Sequence, residues 1–312
     1  MRTHELGRTG LRVSALGFGA GALGDHYFPT DEADNRAAVR HALDRGVNLI
    51  DTSPFYSRTR SEEILGAVLA DVPRDSVVLC TKAGRNTAKA FDFSAAAMAQ
   101  SLEASLRRLR IDYVDVWYAH DVEFASDYEQ VFTETAEALR RAKEQGKCRF
   151  VGMTGYPLGL LAQAVERCRL DVVLSYCHFS PANTRLLTEL LPVTERRGVA
   201  VINGSPLMMG LLSNKGPPRW HPAPEALKAA CRRAVELCQR RGVDPATLAL
   251  QFVLREPRVP VTLVGMSTAA EVDVNLRALD GGPDDGLLAE VLAILEPVKD
   301  VAWPSGFWPA VP

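Results

Sequence analysis

Short runs rich in β-branched and other apolar residues alternate along the chain with longer segments whose apolar positions recur at helical spacing. The strand candidates are Ala15–Gly19, Val47–Asp51, Val77–Thr81, Val114–Ala119, Arg149–Met153, Val172–Ser175, Val199–Asn203 and Val261–Val264. Helices are expected over Asn35–Arg45, stopped by Gly46, and over Ala95–Arg108, capped by Ser94. Further helices are expected over Tyr128–Gln145 before Gly146, Asn183–Arg197 before Gly198, Ala226–Arg241 and Pro245–Leu254. Each strand start is far enough from the next to hold the crossover helix that parallel strands require. Eight such units predict an α/β fold, a closed (β/α)8 TIM barrel, more readily than an open sheet. The long last interval leaves room for an insertion near Ser213–Pro224 and an extra helix before the eighth strand.

Two flanking features complete the expected plan. Leu6–Val13 reads as an N-terminal β-hairpin placed to plug the bottom of the barrel. After Asp300 the tail carries Pro, Trp and Gly and is expected to be irregular. The glycine-rich Gly17-Phe18-Gly19-Ala20-Gly21-Ala22-Leu23-Gly24 follows the first strand, but what comes after it is no helix start, which argues against a doubly wound dinucleotide fold.

Composition narrows the function. A length of 312 residues suggests two domains as a bare quotient, yet a barrel of this size folds as one, so residues 1–312 are expected to form a single barrel domain. The 47% hydrophobic and 24% charged content is that of a soluble globular protein, and a net charge of −2 offers no basic field for nucleic acid or an anionic membrane. The N-terminus is charged where a signal peptide is apolar, and the longest charge-free stretch, Gly198–Asn214, contains Asn203, Ser205 and Pro206. A cytoplasmic protein, monomeric or a small homo-oligomer, is the expectation. The six cysteines show neither CxxC pairing nor zinc-ligand spacing, so no metal is expected.

Barrel enzymes carry their chemistry at the C-terminal ends of the strands. Asp51 ends the second strand and Tyr56 follows it, the third reaches Lys82, and the fourth runs into His120. A tyrosine transfers protons near neutrality only if something shifts it. A nearby lysine can do so, an aspartate can fix the lysine, and a histidine can orient the reacting oxygen. Any one of these residues alone would pass as a turn, loop, strand-end or packing residue; together they suit proton transfer coupled to hydride transfer.

The constellation resembles the aldo-keto reductase family over nearly the whole chain. Gly46-Val47-Asn48-Leu49-Ile50-Asp51-Thr52-Ser53-Pro54-Phe55-Tyr56 is similar to the signature around that family's catalytic Asp and Tyr, and Thr81-Lys82 and Ala119-His120 match its Lys and His positions. Segments including His120-Asp121-Val122-Glu123-Phe124, Val172–Phe179, Gly216–Ala223 and Ile294–Gly306 are similar to a sugar-oxidising branch. The resemblance implies a nicotinamide cofactor and oxidation of L-galactose, or a related aldose, at C1 to the aldonolactone. Tyr56 would be acid/base, with its pKa lowered by Lys82. Substrate contacts are expected from Tyr56, His120, Asp121, Tyr176, His178 and Trp220. Cofactor contacts are expected from Gly19, Thr154, Ser175, Ser205, Pro206, Leu207, Gly210, Leu211, Gly265, Ser267, Glu271 and Asn275. Three positions depart from the common pattern: Thr154-Gly155 stands for Ser-Asn, Ser175 for Gln, and Gly204 for an aromatic. Gly265 to Asn275 holds no Lys or Arg to clamp a 2′-phosphate, which favours NAD, with NADP possible. Oxidation of L-fucose, D-arabinose, D-threo-aldoses or pyridoxal, NADPH-dependent carbonyl reduction, and a nucleotide-sensing regulatory role are the alternatives.

Overall fold

The computed structural model describes residues 1–25 and 28–308. A hairpin of β1 (Thr3–Glu5) and β2 (Arg12–Ser14) precedes eight parallel strands: β3 (Leu16–Gly19), β4 (Leu49–Asp51), β5 (Val78–Ala83), β6 (Val114–Ala119), β7 (Cys148–Gly155), β8 (Val172–Tyr176), β9 (Ala200–Gly204) and β10 (Val261–Gly265). Each pairs with the next, and β10 returns to β3 to close the barrel. All eight expected strands are present, displaced by at most a few residues at their ends.

Side chains two apart along a strand face the same side, so each barrel strand sends alternate residues inward. Leu49, Cys80, Val116, Tyr118, Val172, Leu174, Ala200, Ile202, Val261 and Leu263 meet in one buried interior cluster. Leu6, Leu11 and Val13 from the hairpin belong to the same cluster, so the hairpin caps the barrel's apolar interior as expected. Burying a leucine of this kind contributes on the order of 2 kcal/mol. Outward residues pack against the helical ring in a second, larger core.

The helices also follow the pattern, with corrections. The first spans Glu32–Asp44, starting earlier than expected because Asp31 caps it through the backbone N–H groups of Ala33 and Asp34. Ala95–Leu109 is capped by Ser94, and residues 128–144 form the helix before Gly146. The helix expected from Asn183 begins only after Arg185, because Ser180 and Asn183 first bridge to each other. Between β9 and β10 lie the helices Glu225–Arg240 and Pro245–Val253. Three further helices, Arg60–Leu69, Leu158–Arg167 and Asp285–Leu295, had not been marked as expected helices. Arg60–Leu69 hides its start: Thr59 sits there in a left-handed conformation, and its hydroxyl bonds the Glu63 side chain instead of a backbone N–H. No described helix is long and apolar enough to cross a membrane.

Candidate active site

Two residues above the apolar interior, the same inward rows turn polar. Asp51 follows Leu49, and Lys82 follows Cys80. His120 follows Tyr118, and Thr154 follows Gly152. These residues and Tyr56, Arg85, Asp121, Tyr176 and Trp220 line a cavity of about 640 Å³ at the C-terminal end of the barrel.

Lys82 is buried, and its ammonium donates to a carboxylate oxygen of Asp51, to the Thr52 carbonyl at 2.7 Å and to the Tyr56 hydroxyl at 3.3 Å. The other Asp51 oxygen has no hydrogen-bond partner among the described residues. Burial pushes the Asp51 carboxyl up against the opposing pull of Lys82. Tyr56 is positioned by the turn after β4, where its N–H donates to the Ser53 carbonyl at 3.1 Å. Its ring stands perpendicular to that of His120, centroids 5.8 Å apart.

The expected lowering of the Tyr56 pKa is not found. Burial, and then the carboxylates of Asp51 and Asp121, hold its hydroxyl well above the ordinary tyrosine value, with Arg85 opposing them. The main physical reason is burial, and Lys82 does not offset it because it is in contact with Asp51, so the tyrosine faces an ion pair and not a lone cation. Tyr56 is therefore a protonated hydroxyl at neutral pH.

His120 Nδ1 lies 3.0 Å from Ser53 Oγ, which itself accepts from the Phe55 N–H at 3.1 Å. The serine oxygen keeps a second lone pair, so the direction of this bond follows the histidine tautomer. In the tautomer where the serine donates to Nδ1, the ring proton sits on Nε2, which lies 3.6 Å from an Asp121 oxygen. This tautomer makes His120 a hydrogen-bond donor at the cavity. Asp121 also pairs with Arg85, donates its backbone N–H to Thr154 Oγ1 at 2.9 Å, and through its carboxylate accepts from that hydroxyl at 3.3 Å. Burial would raise Asp121, but His120, Arg85 and Lys82 outweigh it and leave the carboxyl below its usual range.

A second cavity of about 340 Å³ shares Ala22, Ser205, Met209 and Gly265 with the first, so the two form one continuous groove. It is lined by Ser205, Pro206, Leu207, Gly210, Gly265, Ser267, Glu271 and Asn275, with Lys215 and Asp244 beside them. Gly19, Gly204 and Gly265 pave the groove's catalytic end without side chains.

The profile of the Aldo/keto reductase family matches residues 15–286. The chain belongs to the aldo/keto reductase family. It is 46% identical to the L-galactose dehydrogenase of Arabidopsis thaliana over 97% of both chains. It is 32% identical to the D-arabinose 1-dehydrogenase of Saccharomyces cerevisiae, over 85% of this chain and 82% of that one. An aldo-keto reductase from Bacillus halodurans, solved in its holo form, superposes with a TM-score of 0.80 at 25% identity, covering 98% of this chain and 99% of that one. Aldo-keto reductases use nicotinamide cofactors, and this one is an oxidoreductase of that family.

The groove in this reductase has features that fit such a cofactor. Ser205, Met208 and Met209 all hold positive φ, at 50°, 50° and 51°, in the segment lining its middle. Non-glycine residues in that region cost on the order of 1 kcal/mol or more each, and such strain persists where the backbone is shaped for a task. Thr268 caps the helix Ala269–Leu276 beside Ser267, placing helix-start N–H groups near the groove's far end.

Some expected contacts fall elsewhere. Ser175 lies between the wall residues Leu174 and Tyr176 and faces away; its hydroxyl is 3.4 Å from His178 Nδ1. His178 sits behind the wall, packed on Tyr156 at 4.4 Å, and burial with the nearby Arg185 pushes its pKa down to about 3. Leu211 is buried in the core beneath the insertion and lines neither cavity. Trp220 stands at the mouth, 59% exposed. Arg85 and Lys215 line the groove without having been named, and Phe55, Phe124 and residues 303–306 line it although they were named only within similar segments and not as site contacts. The departure of Gly155 from the usual Asn has a local cause: a Cβ there would lie 3.0 Å from Glu123 Oε2.

Proposed function

We propose that this reductase is an NAD-dependent sugar dehydrogenase that oxidises L-galactose, or a related aldose, at C1 to the aldonolactone. The observation that carries the reading is a set of proton-handling groups facing a cavity whose charges are compensated in pairs. Asp51 is paired with Lys82 and Asp121 with Arg85, so the pocket suits a neutral, polar substrate. The similarity to L-galactose dehydrogenase supports the choice of sugar.

A nicotinamide cofactor lying along the groove would supply the hydride acceptor, held by the Ser205–Gly210 segment, Gly265, Ser267, Glu271 and Asn275, with Thr154 at its catalytic end. His120 Nε2–H donates to the C1 oxygen and fixes C1 beside Tyr56. As the C1 hydrogen leaves with its electron pair, the hydroxyl proton passes to Tyr56, and the C1–O bond becomes the lactone carbonyl. Lys82 holds the tyrosine oxygen in place, and Asp51 holds Lys82. Since Tyr56 must be deprotonated to act as base and its pKa is raised, oxidation accelerates as pH rises through the alkaline range.

NAD is favoured over NADP on charge. Among the described residues Lys215 is the cation beside the far cavity, but it lies 3.6 Å from Glu271, and Asp244 lines the same space. A 2′-phosphate there would meet two carboxylates and a compensated ammonium. The protonated state of Tyr56 favours one second reading, carbonyl reduction with the tyrosine as proton donor. The test is a spectrophotometric panel of aldoses and aldehydes with both cofactors. Aldose oxidation with NAD is expected; turnover of aldehydes alone, or a tenfold preference for NADP, overturns the corresponding part.

A further inference from the structure

We infer that Arg85, acting with Asp121, reads a pair of neighbouring hydroxyls on the substrate and is a specificity-determining residue; this rests on the aldose reading above. Arg85 follows β5 directly after Gly84, whose φ of +97° turns the chain across the cavity mouth. A bridge between Arg85 and Phe91 closes the loop. The guanidinium lies 3.8 Å from the centroid of the Phe55 ring and 5.3 Å from that of Phe124, and it is ion-paired to Asp121. Arg85, Asp121, Phe55 and Phe124 line the same cavity as Tyr56 and His120.

Stability does not account for this pair. Taking two charges out of water is costly, and apolar replacements of equal volume are often neutral or stabilising. Its chemistry does suit a ligand. A guanidinium has five N–H donors in a fixed fork, and the contact with Asp121 uses only part of them. The Asp121 carboxylate accepts from Thr154 and Arg85 and keeps further lone pairs. Donors and acceptors therefore stand side by side, the pattern that two adjacent hydroxyls match: one donates to the carboxylate and its neighbour accepts from the guanidinium. The pair is neutral as a unit, so it offers a sugar acid no net attraction. The aromatic rings that seat the guanidinium also offer apolar faces to the C–H side of a sugar.

The experiment measures kcat and KM for wild type, Arg85→Lys and Arg85→Gln on the preferred aldose and on its monodeoxy derivatives. Wild type is expected to lose roughly 10- to 100-fold in kcat/KM on the derivative lacking a hydroxyl that the pair reads, the range for a hydrogen bond to a charged group. Both variants are expected to lose a similar factor on the parent sugar, mainly through KM, and little more on that derivative. Arg85→Lys retains the charge without the fork, so its failure to rescue marks geometry as the cause. Wild type tolerating every monodeoxy aldose equally overturns the inference without any variant. So does a variant loss of the same size on all the derivatives, which marks a purely structural role for Arg85. Wild type inert toward every aldose instead overturns the functional reading itself, before any variant is made.

Discussion

The two ends of the barrel are built on the same strands and differ by one step of the pleat. In the lower layer, Leu49, Cys80, Tyr118 and Leu174 join the hairpin residues Leu6, Leu11 and Val13 in an apolar plug. In the upper layer, two residues further on, stand Asp51, Lys82, His120 and Tyr176. The lower layer is stabilised by burial. The upper layer spends stability on buried charges, which are tolerated because Lys82 and Asp51, and Arg85 and Asp121, satisfy one another. Fold and chemistry are therefore separable along a single strand, and substitutions in the two layers should fail in different ways.

The sharpest separation is expected from Tyr56→Phe. Loss of the hydroxyl removes the proton-transfer group and should lower kcat/KM by about 10² to 10⁴, while the melting temperature moves little. Turnover within a few-fold of wild type would remove Tyr56 from the mechanism. The converse substitution is Leu6→Ala in the plug, which should cost about 2 to 5 kcal/mol in urea unfolding and leave kcat of the folded protein near wild type. A cost below about 1 kcal/mol would mean the hairpin merely rests on the barrel.

This layering also decides what was legible beforehand. Strands were readable because their apolar runs are short and β-branched; Asp51, Lys82 and His120 because they lie within one position of a strand end, and Tyr56 because it stands in the turn that follows Asp51. The alternation itself, followed one step further, would have shown Ser175 facing away from the cavity that Leu174 and Tyr176 line. Arg85 was not expected at the site, and Phe124 only as part of a similar segment, because their meeting depends on how two loops fold over the mouth. The irregular tail gave no periodic signal, yet it reaches the cavity: Ser305 Oγ donates to Glu123 at 3.0 Å, and the Trp303 N–H donates to the Tyr156 hydroxyl at 3.2 Å. The expected lowering of Tyr56 by Lys82 fails because the sequence shows the aspartate and the lysine but not how deeply the tyrosine hydroxyl is buried, which is the largest cause of its raised pKa.

The far cavity gives a milder test of charge compensation. Glu271 holds Lys215 and also accepts from the Ser267 N–H at 2.7 Å. Glu271→Gln should release the ammonium and shift the ratio of kcat/KM for NAD over NADP several-fold toward NADP, about 1 kcal/mol for a surface-accessible pair. An unchanged ratio would show that Lys215 does not reach the cofactor's ribose.

A separate test of charge and burial concerns a buried acid outside both pairs. Glu123 is buried; its Oε1 accepts from the Tyr156 N–H at 3.1 Å, the Tyr176 hydroxyl at 3.1 Å and Ser305, while Oε2 has no partner among the described residues. Burial first, and then the neighbouring Asp121, raise its pKa from 4.5 to about 8. The sign follows from which state binds the proton more tightly. The folded protein does, so the stabilisation is complete below about pH 4.5 and is lost as pH rises toward about 8. Glu123→Gln keeps an acceptor for the three donors and cannot ionise. Its melting temperature should therefore fall less than that of wild type between pH 5 and pH 9. Parallel curves for the two proteins would mean that Glu123 stays charged throughout, its three hydrogen bonds outweighing burial.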